Sequence, residues 1–141
     1  MRKGTHTNGL ESYSFTLRKS AIQGHGVFTL SNLPARRKIG EITGTLVRLP
    51  QARRAVERTK RIYMVELTHQ WALDCSRGNE LGHINHSCEP NCYLRIIRMR
   101  VEMYALVDIP AGAELTIDYG ETPHIDGMKC SCNATACRGH V

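Results

Sequence analysis

The sequence predicts a mainly β protein in which several small twisted sheets are accompanied by short helices. One observation behind this prediction is that most apolar residues lie in short runs that alternate with polar residues, as in half-buried strands. Another is that turn-forming residues separate these runs, and only one segment has apolar residues at helical spacing. The 141 residues, of which 41% are hydrophobic, suit one globular domain with its own core.

The first strands are predicted from alternation and from the glycines beside them. In "YSFTLRKS", Tyr13, Phe15 and Leu17 share one side of a strand, which is expected to face the core. After a turn, "GHGVFTL" forms the next strand segment. "IGEITGTLVRL" predicts a further strand region, interrupted at Gly40 and Gly44.

The helix is predicted for "PQARRAVERTKRIY", in which Pro50 suits a first helical position. Its apolar stripe consists of Ala52, Ala55, Val56, Thr59 and Ile62. Residues 36–61, here called the basic segment, hold nine of the 19 Lys and Arg residues. This segment is compatible with contact to DNA or another polyanion, and also with a solvated helix face.

The second half of the chain returns to strand patterns. "IYMVEL" and "WALD" predict strands, and "YLRII" with "RVEMYALVDI" predicts a hairpin that turns at residues 98–100. The inward face of its second strand is expected to carry Val101, Met103, Ala105 and Val107. "PAGAE" is a turn before the last short strand, "LTI", and the chain is turn-rich from Gly120 onward.

The start of the chain, "MRKGTHTNGL", has no apolar stretch after its basic residues, which predicts that there is no signal peptide. The apolar runs are also far too short to span a membrane. We therefore expect an intracellular protein without a membrane partner: nuclear and chromatin-bound in a eukaryote, cytoplasmic or a secreted effector in a bacterium. Thiols stay reduced inside cells, so the six cysteines favour a metal site over disulfides.

The C-terminal "KCSCNATACRGH" has three cysteines at the spacing C-x-C-x4-C. The first two are too close for an easy mutual disulfide but can share one ion, and zinc takes four ligands. The expected zinc ligands are Cys88, Cys130, Cys132 and Cys137. Cys75 and Cys92 would then be free thiols. His124 and His140 are rival ligands, and three reduced structural thiols are the alternative without a metal.

The stretch "HINHSCEPNC" has two further polar residues with two readings each. Asn85 and His86 could bind a polar ligand, or they could form an Asx-type turn with a satisfied histidine. A Cys–His nucleophile pair fits the residue types but conflicts with Cys88 as a zinc ligand. Elsewhere, "GHG" permits a close backbone approach to a ligand or simply a turn, and Tyr119 either points into a pocket or belongs to the core.

Taken in order, "GHGVF", "RIYMVEL", "INHSCEPNC", "ELTIDYG" and "CSCNATACRGH" resemble the SET-domain family of protein lysine methyltransferases. The resemblance runs from Tyr13 to the last residue. It implies the SET fold, with small sheets and a knot-like C-terminal crossing. It also implies three regions: an N-terminal extension at 1–12, a SET domain at 13–121 and a post-SET zinc-binding segment at 122–141.

The resemblance also implies roles for individual residues. S-adenosylmethionine would be the methyl donor, and Zn²⁺ would bind the four cysteines named above. Tyr119 matches the catalytic tyrosine of the family, and Tyr63 matches an aromatic wall of the active site. The positions that match cofactor contacts are Gly24, His25, Gly26, Val27, Asn85 and His86.

Three features depart from the pattern of the family. Ile117 stands where an aromatic residue often limits the number of methyl groups, so we expect a roomier channel that permits di- or trimethylation. Gly82 and His83 replace a frequent Arg-Phe pair, which puts one cofactor contact in doubt. The N-terminal residues are too few for a cysteine-rich pre-SET module.

The implied function is methyl transfer from S-adenosylmethionine to a lysine side chain, with a histone tail as the expected substrate. A basic tail needs an acidic groove, for which the candidates are Glu66, Asp74, Glu80 and Glu89. Two alternatives remain open. One is a SET-like module without catalysis that binds peptide or nucleic acid, and the other is a small zinc-stabilised nucleic-acid binder.

Overall fold

A computed structural model describes residues 3–8, 11–58, 62–120 and 129–141. Over these ranges the chain is mainly β, as predicted, with one α-helix, α1 (Leu49–Glu57), and a 3₁₀ helix at Glu80–His83. The strands are β1 (Lys3–Asn8), β2 (Glu11–Lys19), β3 (His25–Thr29), β4 (Lys38–Ile42), β5 (Thr45–Arg48), β6 (Met64–Glu66), β7 (Trp71–Asp74), β8 (Asn85–His86), β9 (Cys92–Ile97), β10 (Arg100–Ala105) and β11 (Thr116–Ile117).

These strands form small sheets. Three sheets are antiparallel, with the strand orders β1–β2–β3, β4–β10–β9 and β5–β7–β6. The remaining pair, β8 and β11, is parallel and aligns Asn85 with Thr116 and His86 with Ile117. This pairing brings the "NHSC" stretch beside "IDYG", although the two are distant in sequence.

One hydrophobic core joins the sheets. Phe15 of β2, Ile39 of β4 and Met103 of β10 are each 0% exposed, because alternate residues of these strands point to the same interior. Tyr13 is also buried and Leu17 packs against the core, so the inward face predicted for "YSFTLRKS" is confirmed. A smaller cluster of Leu49, Ala52 and Ala72 holds α1 against the β5–β7–β6 sheet.

The hairpin predicted in the second half is confirmed as β9 and β10. Arg98 and Met99 form its turn with φ of 51° and 67°, the left-handed backbone that two-residue hairpin turns of the primed types require. Val101, Met103 and Ala105 are buried as expected, but the prediction for Val107 is wrong because its side chain is 50% exposed. β10 ends at Ala105, so the alternation does not reach Val107.

The predicted helix is present but shorter than its apolar stripe suggested. Pro50 lies in its first turn, and Leu49, Ala52 and Val56 are its buried residues. Ala55 is exposed, and the helix ends at Glu57. Thr59 lies outside the described residues, and Ile62 follows the helix without belonging to it.

The two expected interruptions of "IGEITGTLVRL" have different outcomes. At Gly44 the chain does leave the sheet between β4 and β5, and a Cβ there would lie 2.2 Å from the backbone oxygen of Asp74. The interruption predicted at Gly40 is wrong, because Gly40 lies inside β4 and pairs with Met103. The β4–β10 ladder shifts register beside this pair and continues, as at a bulge. No helix in the described part of the chain is long and apolar enough to cross a membrane.

Met103→Ala is expected to lower the free energy of unfolding by about 2–5 kcal/mol, because it removes a side chain that is 0% exposed in the shared core. Val107→Ala is the control: its side chain is half exposed, and its effect should stay within about 0.5 kcal/mol. Urea unfolding of both variants measures the difference. Similar losses for both would contradict the burial pattern of β10.

Candidate active site and metal centre

Four cysteines from two distant segments meet at one point. The sulfur atoms of Cys88, Cys130, Cys132 and Cys137 all lie within 4.8 Å of one another, and those of Cys88 and Cys130 are 3.8 Å apart. Four sulfurs around a tetrahedral zinc at about 2.3 Å would be about 3.8 Å apart, so the donor set fits this ion. The structure therefore brings together the four residues that the sequence singled out as ligands.

The pKa values within the cluster reflect competition among the thiols. Burial raises the pKa of the Cys130 thiol to about 12. Burial also acts to raise the pKa of Cys132, but hydrogen bonds from the backbone of Cys88 and Ala134 and from the thiols of Cys130 and Cys137 together lower this pKa to about 6. Anionic sulfur is thus favoured at Cys132 near neutral pH, as metal binding requires.

The other two cysteines are remote from this chemistry. Cys75 and Cys92 are each 1% exposed, and neither belongs to the sulfur cluster. Burial raises the pKa of both thiols to about 12. They are free thiols of the core, as the sequence predicted.

Polar contacts hold the tail, residues 129–141, against the rest of the domain. The Ser131 hydroxyl donates to the carbonyl of Ile22 at 3.0 Å. The backbone N–H of Ala136 donates to Glu89 Oε1 at 3.1 Å. His140, a rival ligand in the sequence, pairs its backbone with Lys129 and is not among the clustered ligands. His124 lies outside the described residues.

Arg138 adds an ion pair between the tail and the end of β11. Its guanidinium donates to both carboxylate oxygens of Asp118, at 2.9 and 2.7 Å. Its backbone N–H donates to Cys88 Sγ at 3.3 Å. The Arg138 guanidinium lowers the pKa of Asp118 to about 2, so this carboxylate is charged throughout the physiological range.

The His86 ring connects the sulfur cluster with Tyr119. Its Nδ1 accepts a hydrogen bond from the backbone N–H of Tyr119 at 2.9 Å, and its Nε2 lies 3.3 Å from Cys88 Sγ. Because Nδ1 accepts, a neutral ring carries its proton on Nε2, from which it can donate to the sulfur. Burial lowers the pKa of His86 and favours this neutral form. Because both ring nitrogens of His86 already have hydrogen-bond partners, a contact between His86 and a cofactor would have to use the backbone of His86.

Tyr119 is held at both ends. Its hydroxyl donates to the backbone carbonyl of Ile84, and its own N–H binds His86 as described. Its ring also packs at 5.3 Å, centroid to centroid, from the ring of His86. The side chain is half-buried and lines two separate cavities.

The larger of these, here called the aliphatic cavity, has a volume of about 390 Å³. Its apolar lining consists of Ile42, Ile62, Met64, Val65, Ile84, Leu94 and Ile117. Two carboxylates also line it, and both are neutralised by arginine: Asp118 by Arg138, and Glu66 by Arg53 at 2.6 Å. The cavity is thus apolar with paired charges.

The second cavity, here called the tail crevice, has a volume of only about 20 Å³ and lies between the loop before β3, the β8 residues and the tail. Gln23, Asn85, His86, Cys130 and Ser131 are among its lining residues. Among the described residues, Tyr119 is the one that both linings share. A group bound in the tail crevice would therefore meet a group in the aliphatic cavity at this tyrosine.

Glu114 is a residue of this region that sequence reasoning did not single out. The Ser20 hydroxyl directs its single hydrogen at this carboxylate, whose two oxygens lie 2.8 and 2.9 Å from Ser20 Oγ, and the Asn85 side chain donates to it at 2.9 Å. A Cβ at Gly26 would lie 2.2 Å from Glu114 Oε2 and 3.0 Å from Asn85 Nδ2. The glycine thus lets the carboxylate and the amide approach β3. An acid at the start of "ELTIDYG" was the only signal for it.

The glycine-rich loop lies next to Asn85. The Asn85 side chain donates to the carbonyl of Gln23 at 3.1 Å. Gly24 has a φ of 48°, His25 is exposed, and Gly26 is buried. Cofactor contacts by these residues stay a prediction.

Two predicted site residues lie away from this group. Tyr63 lines a separate cavity of about 290 Å³ beside α1, and its ring meets His83 edge-on at 5.0 Å. Its sequence neighbour Ile62 lines the aliphatic cavity, whereas Met64 lines both cavities. Val27 is a core residue with 0% exposure, and its carbonyl accepts the N–H of Leu115. The functional roles of Tyr63 and Val27 stay predictions.

The four carboxylates proposed for an acidic groove have different surroundings. Glu66 lines the aliphatic cavity, whereas Asp74 lines the cavity beside α1 and accepts a hydrogen bond from a neighbouring serine. Glu80 is buried at 5% exposure, and Glu89 binds the tail. Of these four carboxylates, only Glu66 lines the aliphatic cavity.

Part of the basic segment is engaged inside the domain. Lys38 Nζ lies 2.8 Å from Glu41 and 2.9 Å from Glu102, Arg53 binds Glu66, and the Arg48 guanidinium lies 4.2 Å from the Trp71 ring centroid. Arg54 and Arg58 are exposed on or beside α1, and Lys60 and Arg61 lie outside the described residues. Contact with DNA through this segment stays a proposal.

The comparison with known proteins agrees with these features. The SET domain profile matches residues 24–120. The "Histone-lysine N-methyltransferase, H3 lysine-4 specific" of Kluyveromyces lactis is 34% identical over 139 residues, which cover 89% of this chain and 14% of that protein. The protein of the same name from Saccharomyces cerevisiae is 33% identical over 136 residues, covering 87% of this chain and 13% of that protein.

A plant relative gives the same result. The "Histone-lysine N-methyltransferase TRX1" of Oryza sativa subsp. japonica is 35% identical over 137 residues, which cover 87% of this chain and 13% of that protein. The chain thus spans about one seventh of the length of these relatives. Since the profile match includes β8, β11 and Tyr119 and covers most of the described residues, this chain belongs to the SET-domain family.

Proposed function

We propose that this chain is an S-adenosylmethionine-dependent protein-lysine N-methyltransferase. The observation that carries the proposal is the position of Tyr119, which lines both the aliphatic cavity and the tail crevice. Such a residue lies where a lysine in one space would meet a methyl donor in the other. Membership of the SET-domain family supports the same chemistry.

The aliphatic cavity suits a lysine side chain. Its apolar walls would contact the four methylene groups, and its volume of about 390 Å³ lies within the usual range of ligand sites. Glu66 and Asp118 are already paired with arginines. The cavity is therefore poorly suited to stabilising a charged ammonium, which favours the neutral amine that must act as the nucleophile.

The energetic requirement is moderate. Deprotonation at pH 7 of a lysine with a pKa of about 10.4 costs about 4.6 kcal/mol of free energy. Removal of water by the apolar walls lowers this requirement, so that the proton can leave to solvent before attack. Tyr119 and the carbonyl of Ile84 then orient the amine, because their oxygens lie together at the wall of the cavity.

The residues around the tail crevice fit a cofactor with charged and polar ends. S-adenosylmethionine would supply an electrophilic methyl group on a positively charged sulfur. Asn85, Gln23 and Ser131 line the crevice with polar groups that are now hydrogen-bonded within the protein and would have to exchange partners, and the backbone of Gly24, His25 and Gly26 borders Asn85. The crevice of about 20 Å³ has room for about one water molecule, and the Ser131–Ile22 hydrogen bond spans it, so cofactor binding would require the tail to move and widen it.

Zinc would bind the four cysteines and act structurally. Its ligand set is complete with four sulfurs, which leaves no position for substrate. The ion would fix the tail next to Tyr119 and the crevice. The contribution of zinc is therefore to assemble the site rather than to take part in the transfer.

The proposed substrate is a histone tail, and the proposed location is chromatin. The relatives named above are histone-lysine methyltransferases, and two of them are specific for lysine 4 of histone H3. The exposed arginines of α1 would contact DNA near such a substrate. Incubation with labelled S-adenosylmethionine and a panel of core histones tests this proposal. Cofactor or DNA binding without any turnover would favour the non-catalytic alternatives.

Tyr119→Phe is expected to lower kcat by about 10²-fold, since it removes the hydroxyl that orients the amine. The affinity for S-adenosylmethionine should change little, and calorimetric titration measures it separately. Tyr93→Phe is the control, because Tyr93 stacks on Tyr104 in the β9–β10 hairpin. Near-normal turnover by Tyr119→Phe would remove this hydroxyl from the mechanism.

Ile117→Phe is expected to shift the product toward monomethyl-lysine. Ile117 lines the aliphatic cavity, and a larger ring there leaves less room for an amine that already carries methyl groups. Mass spectrometry of a lysine peptide should find di- or trimethylated product with the unaltered chain. If the unaltered chain yields monomethyl-lysine alone, the roomier channel is wrong.

Purified protein is expected to hold about one zinc per chain, and Cys132→Ser should lose it because one of four ligands is removed. Elemental analysis after gel filtration measures the ratio. Cys75→Ala is the control, since its thiol lies in the core outside the cluster. Full zinc occupancy in Cys132→Ser, or none in the unaltered chain, would contradict the assignment.

A further inference from the structure

Tyr119 lies beyond the regular part of β11, so its position depends on contacts outside the strand ladder. The strand ends at Ile117, whose carbonyl accepts the N–H of Ser87. Directly after Tyr119, Gly120 has a φ of 70° and changes the course of the backbone. Residues 118–120 therefore need side-chain contacts to keep a defined geometry.

The Asp118 carboxylate supplies one of these contacts. Its Oδ1 accepts the backbone N–H of Gly120 at 2.8 Å, which closes a turn around Tyr119. The same oxygen lies 3.7 Å from His86 Nδ1, the atom that accepts the Tyr119 N–H. The orientation of this carboxylate thus influences both the turn and the position of the tyrosine backbone.

Arg138 determines the orientation of the carboxylate from the side of the tail. Two hydrogen bonds, at 2.9 and 2.7 Å, fix the plane of the carboxylate as a single contact would not. The Arg138 backbone is in turn attached to the sulfur cluster through its N–H bond to Cys88. A continuous chain of contacts therefore runs from the sulfur cluster through Arg138 and Asp118 to Tyr119.

A purely stabilising role for this ion pair fits the structure poorly. The two side chains are 47% and 36% exposed, and ion pairs at such positions contribute little to the free energy of unfolding. Their geometry, however, restrains a turn beside the reacting groups. There a displacement well below 1 Å is enough to slow a reaction without unfolding anything.

We infer that Arg138 is a positioning residue for Tyr119. Arg138 orients Asp118, and through Asp118 the position of the metal-bound tail determines the position of the Tyr119 backbone. Its expected effect on turnover rests on the proposed function. Its effect on the backbone of Tyr119 does not, because the Tyr119 N–H is bonded to His86 whether or not a methyl group is transferred.

The test compares Arg138→Gln, Asp118→Asn and the double variant in the full chain loaded with zinc. Each single variant should lower kcat about tenfold, with Michaelis constants within about twofold and zinc content unchanged. The double variant should be no slower than either single one, because both remove the same contact. Hydrogen exchange at the Tyr119 amide should accelerate about fivefold or more in all three.

Arg95→Gln is the matched control, because it removes an exposed arginine that packs over Tyr104 instead. It should leave turnover and the exchange of the Tyr119 amide unchanged. Arg138→Lys retains the charge but not the paired hydrogen bonds, and it should restore only part of the rate. Full restoration by lysine would overturn the role of the bidentate geometry.

The remaining outcomes are also decisive. An unchanged exchange rate at Tyr119 overturns the inference, and so does additive loss in the double variant. A loss of turnover that follows loss of zinc would mean that the tail has detached, which also overturns it. If the unaltered chain transfers no methyl group, the proposed function fails, while the exchange measurement still decides the role of Arg138.

Discussion

The convergence of four sulfurs is the constraint on which the arrangement of the site depends. In residues 129–141 only Cys132 and Val141 are buried, so apolar packing alone gives this tail little reason to adopt one position. The cluster attaches it to Cys88, two residues after His86. Once attached, the tail forms one wall of the crevice beside Tyr119 and brings Arg138 to Asp118. A segment with little core of its own thereby completes the site.

The parts that the sequence predicted well depend on short-range patterns. Strand alternation identified Tyr13 and Phe15 as core residues, and cysteine spacing identified three of the four clustered cysteines. The failures have tertiary causes. The alternation of β10 continues in the sequence to Val107, but pairing with β9 stops at Ala105. Gly40 suggested a strand end from composition alone, whereas its partner strand allows the ladder to continue.

The candidate site shows the same division. The resemblance to the SET-domain family, rather than the residue types alone, predicts that Asn85 and His86 belong to a site, and it does not predict which of their atoms remain available. The His86 ring contacts Tyr119 and Cys88, and the Asn85 amide contacts Gln23 and Glu114. These contacts depend on the pairing of β8 with β11 and on the loop that packs against β8. No local pattern encodes such neighbours. For the same reason Glu114 was missed.

The burial of the six cysteines determines which of them would be oxidised first under oxidative stress. Cys75 and Cys92 are enclosed in the core, each with 1% exposure, so peroxide in the solvent reaches their sulfurs poorly. The more accessible sulfurs belong to the cluster that anchors the tail, in which Cys88, Cys130 and Cys137 are only partly covered. Oxidation would begin at the cluster cysteines and detach the tail while the sheets stay folded. Injury of this kind would disable the site long before it unfolded the domain.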